Sequence, residues 1–463
     1  MSGWTSLRGL LDYEFTQMRE EGRSPEYVDG LRPAFLAAGD DVDRLNAVYD
    51  LLMLAPQRED FPYQEPNGLD EIRALRPVAV REHTVTEDDD VLLDKMYGAW
   101  LGRCVGCALG KPVEGFMGTL NGLSSKDRLK TYLQAISPDE YPIRDYIPKS
   151  SPAEERTGKA GCRASTREHI AFMETDDDIR YTVLGQVILR TKGAGFTTRN
   201  MAELWMGSLP YKWVCTAETQ GYRNLVSRYG FHGGQKEEID WEWVATHRNP
   251  YREWIGAQIR ADSFGYAAPG RPELAAEFAW RDARMTHVKN GIYGEMMVAA
   301  MTAAAFALED PMAIVEAGLA EIPATSRLYE DMLRTVEICR RHDCDAGQFE
   351  DVLDEIYAEF GHYHAVHTNN NAAICVAALL LGGHDLEKVA GIAVMGGWDT
   401  DCNGATAASI AGAMIGAAAM PEKWIAPLHD TLNSSIIGYH PIAISECARR
   451  SLEIAHTISR DSL

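Results

Sequence analysis

Two short acidic runs carry the clearest chemistry in the chain. The first is Glu174-Thr175-Asp176-Asp177-Asp178, followed by Ile179, Val183 and Val187 on one helix face. Acidic residues at a helix start cap free N–H groups and suit the helix dipole. That accounts for one or two carboxylates. Three in succession repel each other, and a bound cation relieves the repulsion. The second run is Gly396-Gly397-Trp398-Asp399-Thr400-Asp401, again ahead of a helix. Its glycines let the backbone turn tightly, so Asp399 and Asp401 can converge on one point. Carboxylate and hydroxyl oxygens are hard ligands that suit Mg²⁺, Mn²⁺ or Ca²⁺ rather than zinc. Either run alone also reads as an ordinary helix cap. The two together, far apart in sequence, favour one shared metal site.

The elements that must position these runs are helical. Apolar residues recur at three- and four-residue spacing, and long alternating strand patterns are absent. Helices are expected over 95–109 and 176–189, then near 290–307, 311–320, 326–341, 346–360, 369–382, 385–395, 400–418 and 441–458. In the first of them Gly98, Gly102, Gly106 and Gly110 repeat every four residues. Glycine is costly inside a helix, so this bare face predicts very close packing against another helix. The uncharged run from Cys402 to Pro421 is mostly Ala and Gly and reads as a buried, closely packed helix rather than a membrane span. Residues 1–90 read as an appended helical region ending in a proline-bearing linker. The main domain is expected over 91–463, with insertions at about 112–170 and 205–255. Six of the ten tryptophans lie between Trp205 and Trp280, and Trp213, Trp241 and Trp243 are candidate lips of a ligand pocket. Their competing role is an insert core or an oligomer contact.

Composition excludes several function classes. Lys and Arg number 45 against 68 Asp and Glu, giving a net charge of −23. Such a surface repels phosphate backbones and anionic lipid, so neither nucleic acid nor membrane is an expected partner. No basic, apolar leader opens the chain, and nine scattered cysteines fit reduced thiols, so a cytoplasmic location is expected. Cys104 and Cys107 form a single C-x-x-C, read as buried thiols on a helix. His362, His364 and His367 form an H-x-H-x-x-H run that reads as a polar helix start ahead of Asn369-Asn370-Asn371.

Four blocks, taken in order, resemble the ADP-ribosylglycohydrolase family, which includes dinitrogenase reductase-activating glycohydrolase. They are DKMYGAWLGRCVGCALGKPVEG from Asp94 to Gly115, Thr175-Asp176-Asp177, GAQIR from Gly256 to Arg260 with Thr286-His287, and GGWDTD at 396–401. The resemblance implies an all-α, compact orthogonal bundle of many helices holding two Mg²⁺ ions, with Mn²⁺ as an alternative. It implies metal contacts from Thr175, Asp176, Asp177, Asp399 and Asp401. It places Glu114 near the metals and, with Asp177 and Asp399, among the catalytic carboxylates. It places Gly256, Arg260 and His287 near the ligand, and from the Asn run Asn370, or Asn371, is a further candidate to face it. Three residues depart from the pattern: Cys107 stands where an Asp is usual, Asp178 where a Thr is usual, and Cys402 where a Thr often reaches the metal.

The reaction implied is hydrolysis of an N- or O-glycosidic bond at a ribose-like anomeric carbon, through oxocarbenium character on the sugar. The expected substrate is an ADP-ribosyl conjugate, small or protein-borne, or a smaller nucleoside or sugar conjugate. The competing reading is a non-catalytic member that binds a ribosyl ligand or a protein. Retention of the aspartates argues against it.

Overall fold

The computed structural model describes residues 6–230 and 238–461. Among them helices dominate, and the one sheet is a two-residue antiparallel pair, Thr431–Leu432 with Ile442–Ala443. No helix among the described residues is long and apolar enough to cross a membrane.

The centre of the fold is the packing of two helices, Asp89–Gly110 and Thr400–Ile415. The glycine stripe explains it. A Cβ on Gly102 would overlap the Ala408 carbonyl, one on Gly106 the Gly404 carbonyl, and one on Gly110 the Thr400 carbonyl. The Ala/Gly helix therefore lies backbone to backbone against the stripe. That contact brings the loop at 396–401 beside the end of the first helix, where the chain continues through a 3-10 turn, Lys111–Phe116. The helix Asp177–Lys192 is joined to this pair by Arg103, which is fully buried and donates to Asp178 Oδ1 at 2.8 Å and to the Ile259 carbonyl at 2.6 Å.

Most predicted helices form within a few residues of their expected ends, as Asn290–Ala305, Pro311–Leu319, Arg327–Arg341, Phe349–Phe360, Thr368–Gly382, Leu386–Met395 and Ile444–Asp461. The insertion expected at about 112–170 contains a helix, Ser125–Gln134, capped by the Ser124 hydroxyl. Its apolar face is one short triplet, Leu129, Tyr132 and Leu133, at helical spacing in an otherwise polar sequence.

The N-terminal region has its own small core, from Leu11, Phe15, Phe35, Val48 and Leu52 among others. It is nevertheless tied to the rest through buried charge. Arg252 pairs with Glu14 at 2.8 Å and Glu21 at 2.6 Å, and Gln17 donates to Glu253 at 2.6 Å. The proline-bearing stretch after it is not a loose linker. It is threaded onto the main body by Glu65 to Arg327 at 2.7 Å, Tyr293 to the Pro66 carbonyl at 2.6 Å and Trp280 to the Asn67 carbonyl at 2.9 Å.

Candidate functional site

Both acidic runs sit at helix starts, as their sequences require. Asp176 is the N-cap of Asp177–Lys192, accepting from the Asp178 N–H at 3.0 Å. Asp399 is the N-cap of Thr400–Ile415. The turn before Asp399 is forced: Gly397 has φ +71° and Trp398 φ +53°. A bulky side chain in the left-handed region is uncommon and is held there by its surroundings. Trp398 stacks on Tyr357 with centroids 4.2 Å apart, and its N–H donates to Ser125 Oγ at 2.8 Å. Asn371 Oδ1 accepts from the Asp399 N–H at 3.2 Å and from Asn403 Nδ2 at 2.8 Å. The run is fixed on three sides.

The two runs meet. Glu114, Asp399 and Asp401 offer oxygens within 4.8 Å of one another, and so do Asp176, Asp177 and Asp178. Asp401 also joins Cys107 with Asp176, and Cys402 with Asp178, over the same span. Glu114, Thr175 and Asp177 are partly exposed, whereas Asp176, Asp178, Asp399 and Asp401 are buried. The cluster thus has a solvent-facing rim and a dry floor.

Packing like charges shifts their ionisation. Glu114 is pushed up to about 10, first by Asp401 and then by burial. Burial, then Asp176 and Asp401, push Asp177 up to about 8. Burial, then Asp176, push Asp401 up to about 6. Asp178 and Asp399 are also raised, with burial the largest cause. Asp176 differs: burial opposes its ionisation, but the Lys111 ammonium outweighs it and holds the carboxyl below its ordinary value. Oδ1 of Asp401 is buried without a hydrogen-bond partner. Buried acceptors without donors are rare and need explaining. Among the described residues Glu114, Asp399 and Asp401 have no ion pair with a cationic side chain, and such a set of hard oxygens fits a divalent cation such as Mg²⁺ or Mn²⁺.

Residues that sequence reasoning passed over complete the site. Lys111 Nζ lies 2.7 Å from Asp176 Oδ2 and donates to the Thr175 carbonyl at 2.6 Å. Arg103 pairs with Asp178 and, at 3.2 Å, with Asp262. Arg180 donates to Thr175 Oγ1 at 3.2 Å and to the Trp213 carbonyl at 3.2 Å, with its guanidinium 4.7 Å over the Trp213 ring. Ser435 Oγ donates to Thr175 Oγ1 at 3.1 Å. The helical spacing from Cys107 to Lys111 was the one available signal, since it puts both on one face.

Other expectations need correction. Arg260 is enclosed, 1% exposed, and its guanidinium is spent on Glu218 at 2.7 Å, on Asp282 and on Glu295 at 3.5 Å. It has no surface to offer a ligand and acts as an interior clamp. Gly256 serves that clamp, since a Cβ there would run into the Glu218 carboxylate. His287 is fully buried with Nδ1 2.8 Å from Thr286 Oγ1, and burial followed by Arg260 holds it well below its ordinary pKa. Asn370 is fully buried and donates to the His364 carbonyl at 3.2 Å; its neighbour Asn371 is the one that reaches Asp399.

The three histidines of the H-x-H-x-x-H run diverge. His364 stacks on Trp254 at 4.2 Å, and His367 caps its helix by accepting from the Asn369 N–H at 3.1 Å. Of the candidate aromatic lips, Trp243 stacks on His247 and Arg228 within the insert, and only Trp213 is linked to the site, through Arg180. Part of that insert, 231–237, lies outside the described residues. All nine cysteines are free; Cys104 and Cys107 are both buried on their helix, as expected, and Cys107 also lies against Asp176 and Asp401.

An all-helical fold thus joins two acidic helix starts in one cluster whose oxygens have the spacing to hold a metal ion. The family model for ADP-ribosylglycohydrolase matches residues 88–454, and the chain belongs to that family. No curated protein shows significant sequence similarity to it. Among solved structures it is similar to an "ADP-ribosylglycohydrolase-related protein complex", at 18% identity and a TM-score of 0.47, covering 80% of this chain and 99% of the other.

Proposed function

We propose that the chain is a divalent-cation-dependent hydrolase. It cleaves an N- or O-glycosidic bond at the ribose-like anomeric carbon of an ADP-ribosyl conjugate or of a smaller nucleoside or sugar conjugate. The observation that carries this reading is the meeting of Glu114, Asp399 and Asp401 around a buried, unpartnered Asp401 oxygen. Membership of the ADP-ribosylglycohydrolase family supplies the reaction class.

Glu114, Asp399 and Asp401 are the residues that would hold Mg²⁺ or Mn²⁺, with Asp176, Asp177 and Thr175 beside them. When bound, such an ion orients sugar hydroxyls and lowers the pKa of a water. The chain's own groups do the rest. One rim carboxylate, Asp177 or Glu114, would accept the single proton that the attacking water gives up, once positive charge in the cluster offsets the repulsion that raises its pKa. The surrounding negative charge favours oxocarbenium character as the leaving group departs. Arg180 fixes both Thr175 and Trp213, which sets an aromatic ring beside the acidic cluster. The net charge of −23 disfavours a polynucleotide substrate, and free thiols suit the cytoplasm.

The test is substitution of one residue from each run. Asp176→Asn and Asp399→Asn should each abolish metal-dependent turnover while helical circular dichroism stays unchanged. Full activity in both variants contradicts the assignment. Ribosyl-ligand binding by the wild type without turnover, and without need of metal, supports a non-catalytic member instead.

A further inference from the structure

Four sets of side chains in the cluster have the geometry to hold an ion, and three of them are already compromised by groups of the chain itself. Asp176, in the set with Cys107 and Asp401, gives Oδ2 to the Lys111 ammonium at 2.7 Å and Oδ1 to the Asp178 N–H. Its thiol member, Cys107, is a poor ligand for a hard cation. Asp178, in the set with Asp401 and Cys402, gives Oδ1 to Arg103 at 2.8 Å and accepts from the Cys402 thiol on Oδ2 at 3.2 Å. The set Asp176, Asp177 and Asp178 loses two of its three members for the same reasons. Of the four sets, only that of Glu114, Asp399 and Asp401 has no member paired with an ammonium or guanidinium among the described residues, and it contains Asp401, whose buried Oδ1 stands without a partner.

Lys111 is the decisive residue. It is 8% exposed, and a second bond, from Nζ to the Thr175 carbonyl at 2.6 Å, fixes its ammonium. A buried ammonium held by a carboxylate and a carbonyl takes the place that a cation would otherwise fill.

We propose that this centre takes a single divalent ion, seated on Glu114, Asp399 and Asp401, and that the Lys111 ammonium serves as its second, built-in positive charge. The proposal rests on the metal-dependent reading above. It sets that reading's stoichiometry and makes Lys111 a positioning residue for Asp176 and Thr175.

The experiment is metal counting on the full chain, stripped with chelator and titrated with Mn²⁺. Bound ions are measured by elemental analysis after gel filtration and by electron paramagnetic resonance. The expected result is one Mn²⁺ per chain with the signal of an isolated ion, rising to two in Lys111→Met and falling to none in Glu114→Gln. Two ions in the wild type overturn the proposal and leave the metal-dependent reading intact. None in the wild type overturns both. One ion in the wild type and still one in a folded Lys111→Met overturns the role of Lys111. Should Lys111→Met not fold, the wild-type count and spectrum decide.

Discussion

Glu114 and Asp401, far apart in sequence, present carboxylate oxygens within 4.8 Å of each other, and Asp401 is the largest influence on the ionisation of Glu114. Two like charges this close destabilise the folded chain until a cation or a proton separates them. Millimolar Mg²⁺ or Mn²⁺ should therefore raise the melting temperature, because an ion that binds only the native state stabilises it by mass action. Glu114→Gln should melt higher than the wild type in chelator and gain little from added metal. Thermal scans with and without metal check both. Equal metal-induced shifts in the two proteins would contradict this account.

Arg103 is the hinge between the acidic runs and the body of the fold. It is fully buried and pairs with Asp178 and Asp262, themselves buried. Removing one partner of a buried pair leaves an uncompensated charge, at a cost of about 3–5 kcal/mol. Arg103→Met should lose at least that much in urea unfolding, since two carboxylates are stripped. Asp178→Asn should lose much less, because Arg103 keeps Asp262. Equal losses would show that the pairing with Asp262 contributes nothing.

The glycine stripe makes a sharper demand on shape. A methyl group at Gly106 would meet the Gly404 carbonyl, which is backbone and cannot swing aside. Overpacking a tight core costs about 1–3 kcal/mol, and more where backbone must move. Gly106→Ala should fall at or above the top of that range. It should also weaken metal binding, since Asp401 rides on the displaced helix. Gly115→Ala, where an added Cβ meets nothing within 4 Å, is the control and should be near neutral.

Asp331 gives a pH signature away from the site. Burial pushes its carboxyl up to about 6, against an ordinary 3.8, although Asn369 and Tyr363 donate to it. Between those values the native chain holds a proton that the unfolded chain has released. Stability from this group is thus greatest at low pH and is lost as pH rises through about 4 to 6. Asp331→Asn removes that loss. Its advantage over the wild type should grow across the same window to about 1–3 kcal/mol and stay level above it. Unfolding curves of both proteins from pH 4 to 8 measure the difference. An advantage that shrinks with rising pH would contradict the assignment.

The framework of the site was legible in the sequence, and its charge pairing was not. The four-residue glycine repeat announced a close helix contact, because only backbone against backbone requires it. The acidic runs announced helix starts, because carboxylates repeat there beyond what capping needs. Lys111 carried only a weak mark, its four-residue spacing from Cys107, and nothing in that spacing shows that folding buries its ammonium against Asp176. Arg260 misled for the opposite reason. An arginine that binds a ligand and one that clamps three interior carboxylates share a side chain, and only the positions of Glu218, Asp282 and Glu295 tell them apart. The stretch through Pro56, Pro62, Pro66 and Pro77 read as a linker because its contacts, through Glu65 and backbone carbonyls, have no periodicity.

The central claim is metal-dependent glycosidic hydrolysis. It is tested most directly by release of free sugar or ADP-ribose from a panel of ADP-ribosyl-arginine, ADP-ribosyl-serine, O-acetyl-ADP-ribose and common nucleosides, each with Mg²⁺ and with chelator. Release from one class, lost with chelator and restored by metal, is the result expected. Release that persists unchanged in chelator, or no release from any member by protein shown to have bound metal, would contradict it.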